Sequence, residues 1–137
     1  MPITDLSVSA AHAARTSGTT LVDVRSTPEF DPGHPAGAVN VPLLQPDEDT
    51  GVMLPNPDFI RVMQANFPPD TPLALSCQTG GRSSRAARML EAFGFTNVSN
   101  VTGGWAAWQQ AGLPTEQGEG YQDLLDRCQS GTGAMGQ

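Results

Sequence analysis

Residues 73–94 read LALSCQTGGRSSRAARMLEAFG. The apolar run PLALSC, over 72–77, ends in a cysteine, and a Gly-Gly turn follows. RSSRAARMLEAF then puts Ala86, Met89, Leu90 and Phe93 on one helical face, with Gly94 as the stop. The unit is a strand, a tight turn and an amphipathic helix, with Cys77 at the strand's carboxyl end. In open α/β sheets ligands bind beyond that end.

The same alternation continues on both sides. TTLVDVR (19–25) is a strand rich in β-branched residues, and GAVNVPL (37–43) is a shorter one ended by Pro42. PDFIRVMQANF (57–67) reads as a helix with Asn56 as N-cap, Pro57 in the first turn, and Phe59, Val62, Met63 and Phe67 on one face. NVSNV (97–101) is another short strand, and GGWAAWQQAG (103–112) is a helix that ends at Gly112 and Pro114. Alternation of this kind predicts an α/β fold, a parallel sheet with helices on both faces.

Composition narrows the function. The 137 residues suit one domain, carry a net charge of −7 and contain two cysteines. All seven basic residues are arginines, and Arg82, Arg85 and Arg88 follow Cys77 closely. The acidic balance disfavours nucleic acid and anionic membranes as partners. No apolar run reaches the ~20 residues of a bilayer span. The N-terminus MPITDLSVSAAHAARTSG has no export-signal pattern, so cytoplasmic residence is expected. Two cysteines this far apart predict neither a disulfide framework nor a paired-ligand zinc site, and no metal or other cofactor is implied. After Pro114 the chain turns polar and Gly-rich. The expected division is a domain over 1–114, an extension over 115–129 with a short amphipathic helical turn, and a disordered tail over 130–137.

The cysteine turn has the parts of an anion cradle. An ordinary thiol, with pKa ~8.5, is only about 3% thiolate at pH 7. Lowering that pKa to ~6.5 requires about 2.7 kcal/mol of differential stabilisation. A helix N-terminus supplies about 0.3–1 kcal/mol at an exposed site. Backbone N–H donors aimed at the sulfur and a nearby cation must supply the rest. Gly80 and Gly81 permit such a loop through positive φ angles, and Arg82 offers the charge. The competing structural reading, a buried apolar cysteine before an ordinary turn, does not explain Gly-Gly-Arg at this junction.

Three separated motifs carry a resemblance to a known family. LVDVRSTPEFDPGHPAGAVNVP (21–42), CQTGGRS (77–83) and GFTNVSNVTGGWAAWQQAGLP (94–114) together resemble a single-domain rhodanese, over about residues 4 to 114. The resemblance implies the rhodanese fold, with a central parallel five-stranded sheet. It also implies sulfurtransferase chemistry: Cys77 takes a sulfane sulfur from thiosulfate or a similar donor as a persulfide and passes it to cyanide or a thiol. By the same resemblance Gln78, Thr79, Gly80, Gly81, Arg82 and Ser83 form the substrate cradle. The implied partners are a small sulfur-donor anion and a thiophilic acceptor, which a protein thiol could also be. Many thiosulfate-using members carry a basic residue where this chain has Gln78, which leaves Arg82 as the loop's only cation.

Two rival functions and several bland readings complete the sequence picture. Cysteine phosphatases and arsenate reductases use C-x5-R, a wider ring for a tetrahedral oxyanion, whereas Cys77 to Arg82 is C-x4-R. A persulfide-carrying interaction module serving a protein partner is the second rival. His34, in PGHPAG, reads as structural rather than as a base, and His12 as a surface residue of an Ala-rich helix. Asp23 and Arg25 resemble framework residues, with Glu29 one turn beyond Arg25 and able to pair with it. Trp105 and Trp108 read as core, and DEDTG (47–51) as a solvated acidic loop rather than a calcium loop. Cys128 falls on the apolar stripe of YQDLLDRC and reads as a packed residue; a resolving cysteine is the alternative.

Overall fold

The computed structural model describes residues 3–130. In chain order the elements are β1 (Thr4–Leu6), α1 (Val8–Thr16), β2 (Thr20–Asp23), α2 (Thr27–Phe30), β3 (His34–Pro35), β4 (Val39–Asn40), β5 (Leu44–Pro46) and β6 (Met53–Pro55). They continue with α3 (Phe59–Asn66), β7 (Leu73–Ser76), α4 (Gly81–Ala92), β8 (Val98–Val101), α5 (Gly104–Gln110), β9 (Thr115–Glu116) and α6 (Gln122–Ser130). Five strands form the central sheet in the order β1-β8-β7-β2-β4, and every pairing in it is parallel.

Strand alternation divides the core in two. Val22, Leu73, Leu75 and Val98 face one side, where they meet Phe59, Val62 and Met63 of α3, Ala86 and Leu90 of α4, and Leu124 of α6. Leu21, Ala74 and Val101 face the other, against Val8 and Ala11 of α1 and Trp108 of α5. A period of two along each strand produces this split, so apolar residues at adjacent positions serve opposite layers. Helices therefore cover both faces, as the alternating pattern predicts.

The two connections beside the sheet centre leave in opposite directions. After β2 the chain runs into α2, whose Phe30 packs in the α1/α5 layer; after β7 it runs into α4, on the α3/α6 layer. β2 and β7 are in-register neighbours, Asp23 against Ser76. A crevice opens where neighbouring connections diverge in this way. Cys77 stands at its edge.

Several details differ from the sequence reading. Asn56 is not the α3 N-cap: Asp58 holds that position, and Asn56 instead accepts from the Asp58 N–H at 3.0 Å and donates to Pro42 O and Tyr121 Oη. The acidic stretch 47–51 is the solvated loop the sequence predicts, but it tips a β5–β6 hairpin the sequence did not show, and there the Asp47 carboxylate accepts from the N–H groups of Asp49 and Thr50. The extension beyond Pro114 contributes β9, paired with β3, and the nine-residue α6, which docks on α3 through an Asn66 Nδ2 to Leu124 O bond of 3.1 Å. Of the expected tail over 130–137, Ser130 ends α6 and the rest lies outside the described residues. No helix among the described residues is long and apolar enough to cross a membrane.

Candidate active site

Cys77 leaves β7 and is 1% exposed. The turn after it is tightened by Gly80, whose φ of +119° belongs to the left-handed side of backbone space. That conformation turns the Gly80 N–H back onto Cys77 Sγ, at 3.1 Å. Gly81 needs no such freedom: it starts α4 and has open space where a Cβ would stand. Ser83, fully buried in the first turn of α4, places Oγ 3.4 Å from the sulfur. Burial pushes the Cys77 thiol up, but the Ser83 hydroxyl and the backbone N–H groups of Ser83, Gly80 and Thr79 outweigh it and hold the thiol below its ordinary range. Gln78 and Thr79 are exposed at the rim.

Arg82 is placed differently from the expectation of a bare loop cation. Its guanidinium makes a two-pronged pair with Glu29, at 2.7 and 3.0 Å, across the crevice. Hydrogen bonding to Arg82 first, and then to Ser26, holds the Glu29 carboxyl at about 2 despite partial burial. Arg82 is raised in turn, mainly by Glu29 and to a smaller degree by the nearby Cys77 sulfur. The loop's charge is thus shared between a carboxylate and the sulfur. Arg85 and Arg88 lie exposed further along α4.

The Arg25–Glu29 pairing that the sequence allows is not formed. Arg25 binds Asp23 instead, through Nε at 3.0 Å and Nη2 at 2.8 Å, and also donates to Gly33 O. Its guanidinium carbon lies 5.0 Å from the centre of the Trp105 ring. Both charged groups are buried, so the pair is a rigid strut beneath the crevice rather than a free charge. His34 is buried too, stacked on Phe30, with Nδ1 at 2.9 Å from Phe30 O and Nε2 at 3.5 Å from Glu116. Its partners are those of a framework residue. Trp108 is core, while His12 is half-buried against its edge rather than at the surface.

Several contacts around the cysteine turn lay beyond sequence reasoning. Glu29 reaches Arg82 across 53 residues. Gly104 lets α5 approach so closely that a Cβ there would collide with Cys77 O, and the N–H groups of Trp105 and Ala106 bond Cys77 O and Gln78 O at 2.8 and 3.1 Å. Asn100 and Asp5 form a line behind Ser83. Only Gly104 had a local signal, the Gly-Gly pair at 103–104 that opens a helix as the pair at 80–81 does.

The likeness to known proteins extends over most of the chain. Residues 7–111 match the Rhodanese-like domain family, and the chain belongs to that family. It is 39% identical over 111 residues to Thiosulfate sulfurtransferase 16, chloroplastic, of Arabidopsis thaliana, covering 81% of this chain and 91% of that one. It is 35% identical over 97 residues to Protein HIGH ARSENIC CONTENT 1, mitochondrial, of the same plant, covering 71% of this chain and 56% of the relative. Of two further plant relatives the chain spans 61% and 62%. Among solved structures, thiosulfate sulfurtransferase from Pseudomonas aeruginosa superposes with a TM-score of 0.68 at 25% identity, over 85% of this chain and 20% of that one.

Proposed function

We propose that this protein is a sulfurtransferase that carries a sulfane sulfur on Cys77. The observation that supports this most directly is the cradle: Gly80 N–H at 3.1 Å and Ser83 Oγ at 3.4 Å from a buried Sγ at the carboxyl end of β7. Such a site favours a sulfur anion without any metal-like charge. In the first half-reaction the Cys77 thiolate attacks the outer sulfur of thiosulfate. A bond forms between Sγ and that sulfur, the S–S bond of the donor breaks, and sulfite leaves with its electron pair. In the second, cyanide or a thiolate attacks the outer sulfur of the persulfide, and the Cys77 thiolate departs to restore the resting enzyme. Gly80, Thr79 and Ser83 steady the sulfur through their N–H groups; Gln78 and Arg82 stand where a donor anion enters, with Gly81 opening the helix behind them. The relative named as a thiosulfate sulfurtransferase supports thiosulfate as donor. Cytoplasmic residence, where thiols stay reduced, is part of the proposal.

The test is intact mass after incubating reduced protein with thiosulfate. A gain of about 32 Da that dithiothreitol removes and that needs Cys77 is the expected result. Efficient hydrolysis of a small aryl phosphate with no sulfur uptake would overturn the reading in favour of oxyanion chemistry.

A further inference from the structure

Behind the sulfur a line of polar side chains leads from Ser83 of the cradle to residues that the transfer steps do not use. Ser83 Oγ lies 3.4 Å from Cys77 Sγ and 2.6 Å from Asn100 Oδ1, and Asn100 Nδ2 lies 3.4 Å from Asp5 Oδ1. The β1–β8 register sets Asp5 directly beside Asn100. Asn100 is 6% exposed, so its amide has few partners besides these two.

The chemistry of the end groups fixes the direction of the whole line. A carboxylate only accepts hydrogen bonds, so the amide atom facing Asp5 must be the NH2 group. That turns the amide oxygen to Ser83. A hydroxyl has one proton, and an oxygen–oxygen contact of 2.6 Å requires it. Gly80 O, 3.2 Å from Ser83 Oγ, is a second acceptor for the same proton. The sulfur is therefore offered a lone pair. A neutral thiol can donate its S–H to that lone pair, but a thiolate cannot, and ionisation obliges the Ser83 hydroxyl to turn from Asn100 to the sulfur.

We propose that Asn100, held in place by Asp5, is a positioning residue that keeps the Ser83 proton away from Cys77 Sγ, so that each ionisation of the sulfur must break the Ser83–Asn100 bond. The thiol proton goes to solvent and no covalent bond besides S–H changes. The inference rests on Cys77 being the reacting atom, but its test does not require sulfur transfer. The charges facing the loop are Arg82 of α4 with its partner Glu29 of α2, Asp23 of β2 tied to Arg25, and Asp5 of β1; α5 meets the loop through backbone N–H groups. Asn100→Ala leaves all of them in place.

The experiment follows iodoacetamide alkylation of Cys77 against pH, in a Cys128→Ser background so that one thiol reports. Asn100→Ala frees the Ser83 proton for the sulfur and is expected to move the midpoint down by about half a unit to one unit, which is about three- to tenfold in rate below the midpoint. Asn100→Asp keeps an acceptor on Ser83, and its midpoint is expected to fall no lower than that of the unchanged protein. In a Ser83→Ala background Asn100→Ala should have no effect on the midpoint. Asp5 is exposed, so Asp5→Asn is the variant for the case in which Asn100→Ala does not fold; it lets the Asn100 amide turn over, with a smaller downward shift. An upward or absent shift in Asn100→Ala (or in Asp5→Asn, where that is the variant that folds), a downward shift in Asn100→Asp, or a shift that survives Ser83→Ala, overturns the proposal. Loss of thiosulfate turnover in the unchanged protein, with the alkylation shifts intact, would strike the proposed function and leave this inference standing.

Discussion

The two cysteines of this chain differ in burial and in the groups that approach the sulfur. Cys77 ends a strand and is almost fully enclosed, yet a backbone N–H and a hydroxyl approach its sulfur. Cys128 sits on the last turns of α6, half-buried, beside the apolar layer that holds Leu124 and Leu125. Among the described residues, no hydrogen bond links the Cys128 sulfur to the crevice. Burial alone raises a thiol pKa and makes it inert; burial with donors aimed at the sulfur does the opposite. A cysteine's reactivity is thus a property of the turn that presents it.

The strongest way to break this contrast is to remove the sulfur itself. Cys77→Ser should abolish transfer from thiosulfate to cyanide, a loss of about 10³-fold or more, while the melting temperature hardly moves because the change is nearly isosteric. Retained turnover in that variant would reduce the cradle to a structural turn.

Gly80→Ala tests the presentation rather than the atom. The nearest atoms to an added Cβ are 3.7 and 3.9 Å away, so the obstacle is the φ of +119° and not a collision. Holding alanine there costs about 1–3 kcal/mol. Thermal melts should show that loss, and thiosulfate turnover should fall by about tenfold as the N–H swings off the sulfur. An alanine that fits without either effect would show that the turn tolerates another conformation.

The Glu29–Arg82 pair offers a sharper comparison, through pH. Glu29 is depressed from its ordinary 4.5 to about 2 in the fold. A depressed carboxyl adds stability above its unfolded value, and that stability disappears as pH falls through the folded value. Denaturation should therefore become easier between about pH 4.5 and about pH 2, and Glu29→Gln should flatten that portion of the stability curve. The effect is moderate because the pair is partly exposed to solvent. The same variant leaves Arg82 uncompensated beside the sulfur, so Cys77 should alkylate at lower pH in Glu29→Gln and at higher pH in Arg82→Ala.

The smallest expected effect belongs to the other cysteine. Cys128→Ser should keep full sulfur transfer and lose less than about 1 kcal/mol of stability, measured by denaturant unfolding. Total loss of activity there would instead make Cys128 a resolving thiol.

What could be read from the chain was what neighbours in sequence decide. The strand, the cysteine, the glycine turn and the amphipathic helix of residues 73–94 are contiguous, so periodicity and glycine placement mark them without any knowledge of the rest. The same holds for the three other strands over 19–25, 37–43 and 97–101 and for the helices whose apolar spacing is regular. β1, β3 and β9, three residues or fewer each, are too short to show a period, and the β5–β6 hairpin is punctuated by Pro46 and Pro55 and tipped with acidic residues, so it resembled a loop. The tertiary structure alone decided which carboxylate Arg82 meets, that Arg25 turns to Asp23, how closely α5 approaches at Gly104, and that Asn100 and Asp5 stand behind Ser83. The physical reason is that backbone conformation follows from local sterics, whereas the direction of a charge or of a hydroxyl proton depends on which partners, near or distant in sequence, the folded sheet sets beside it.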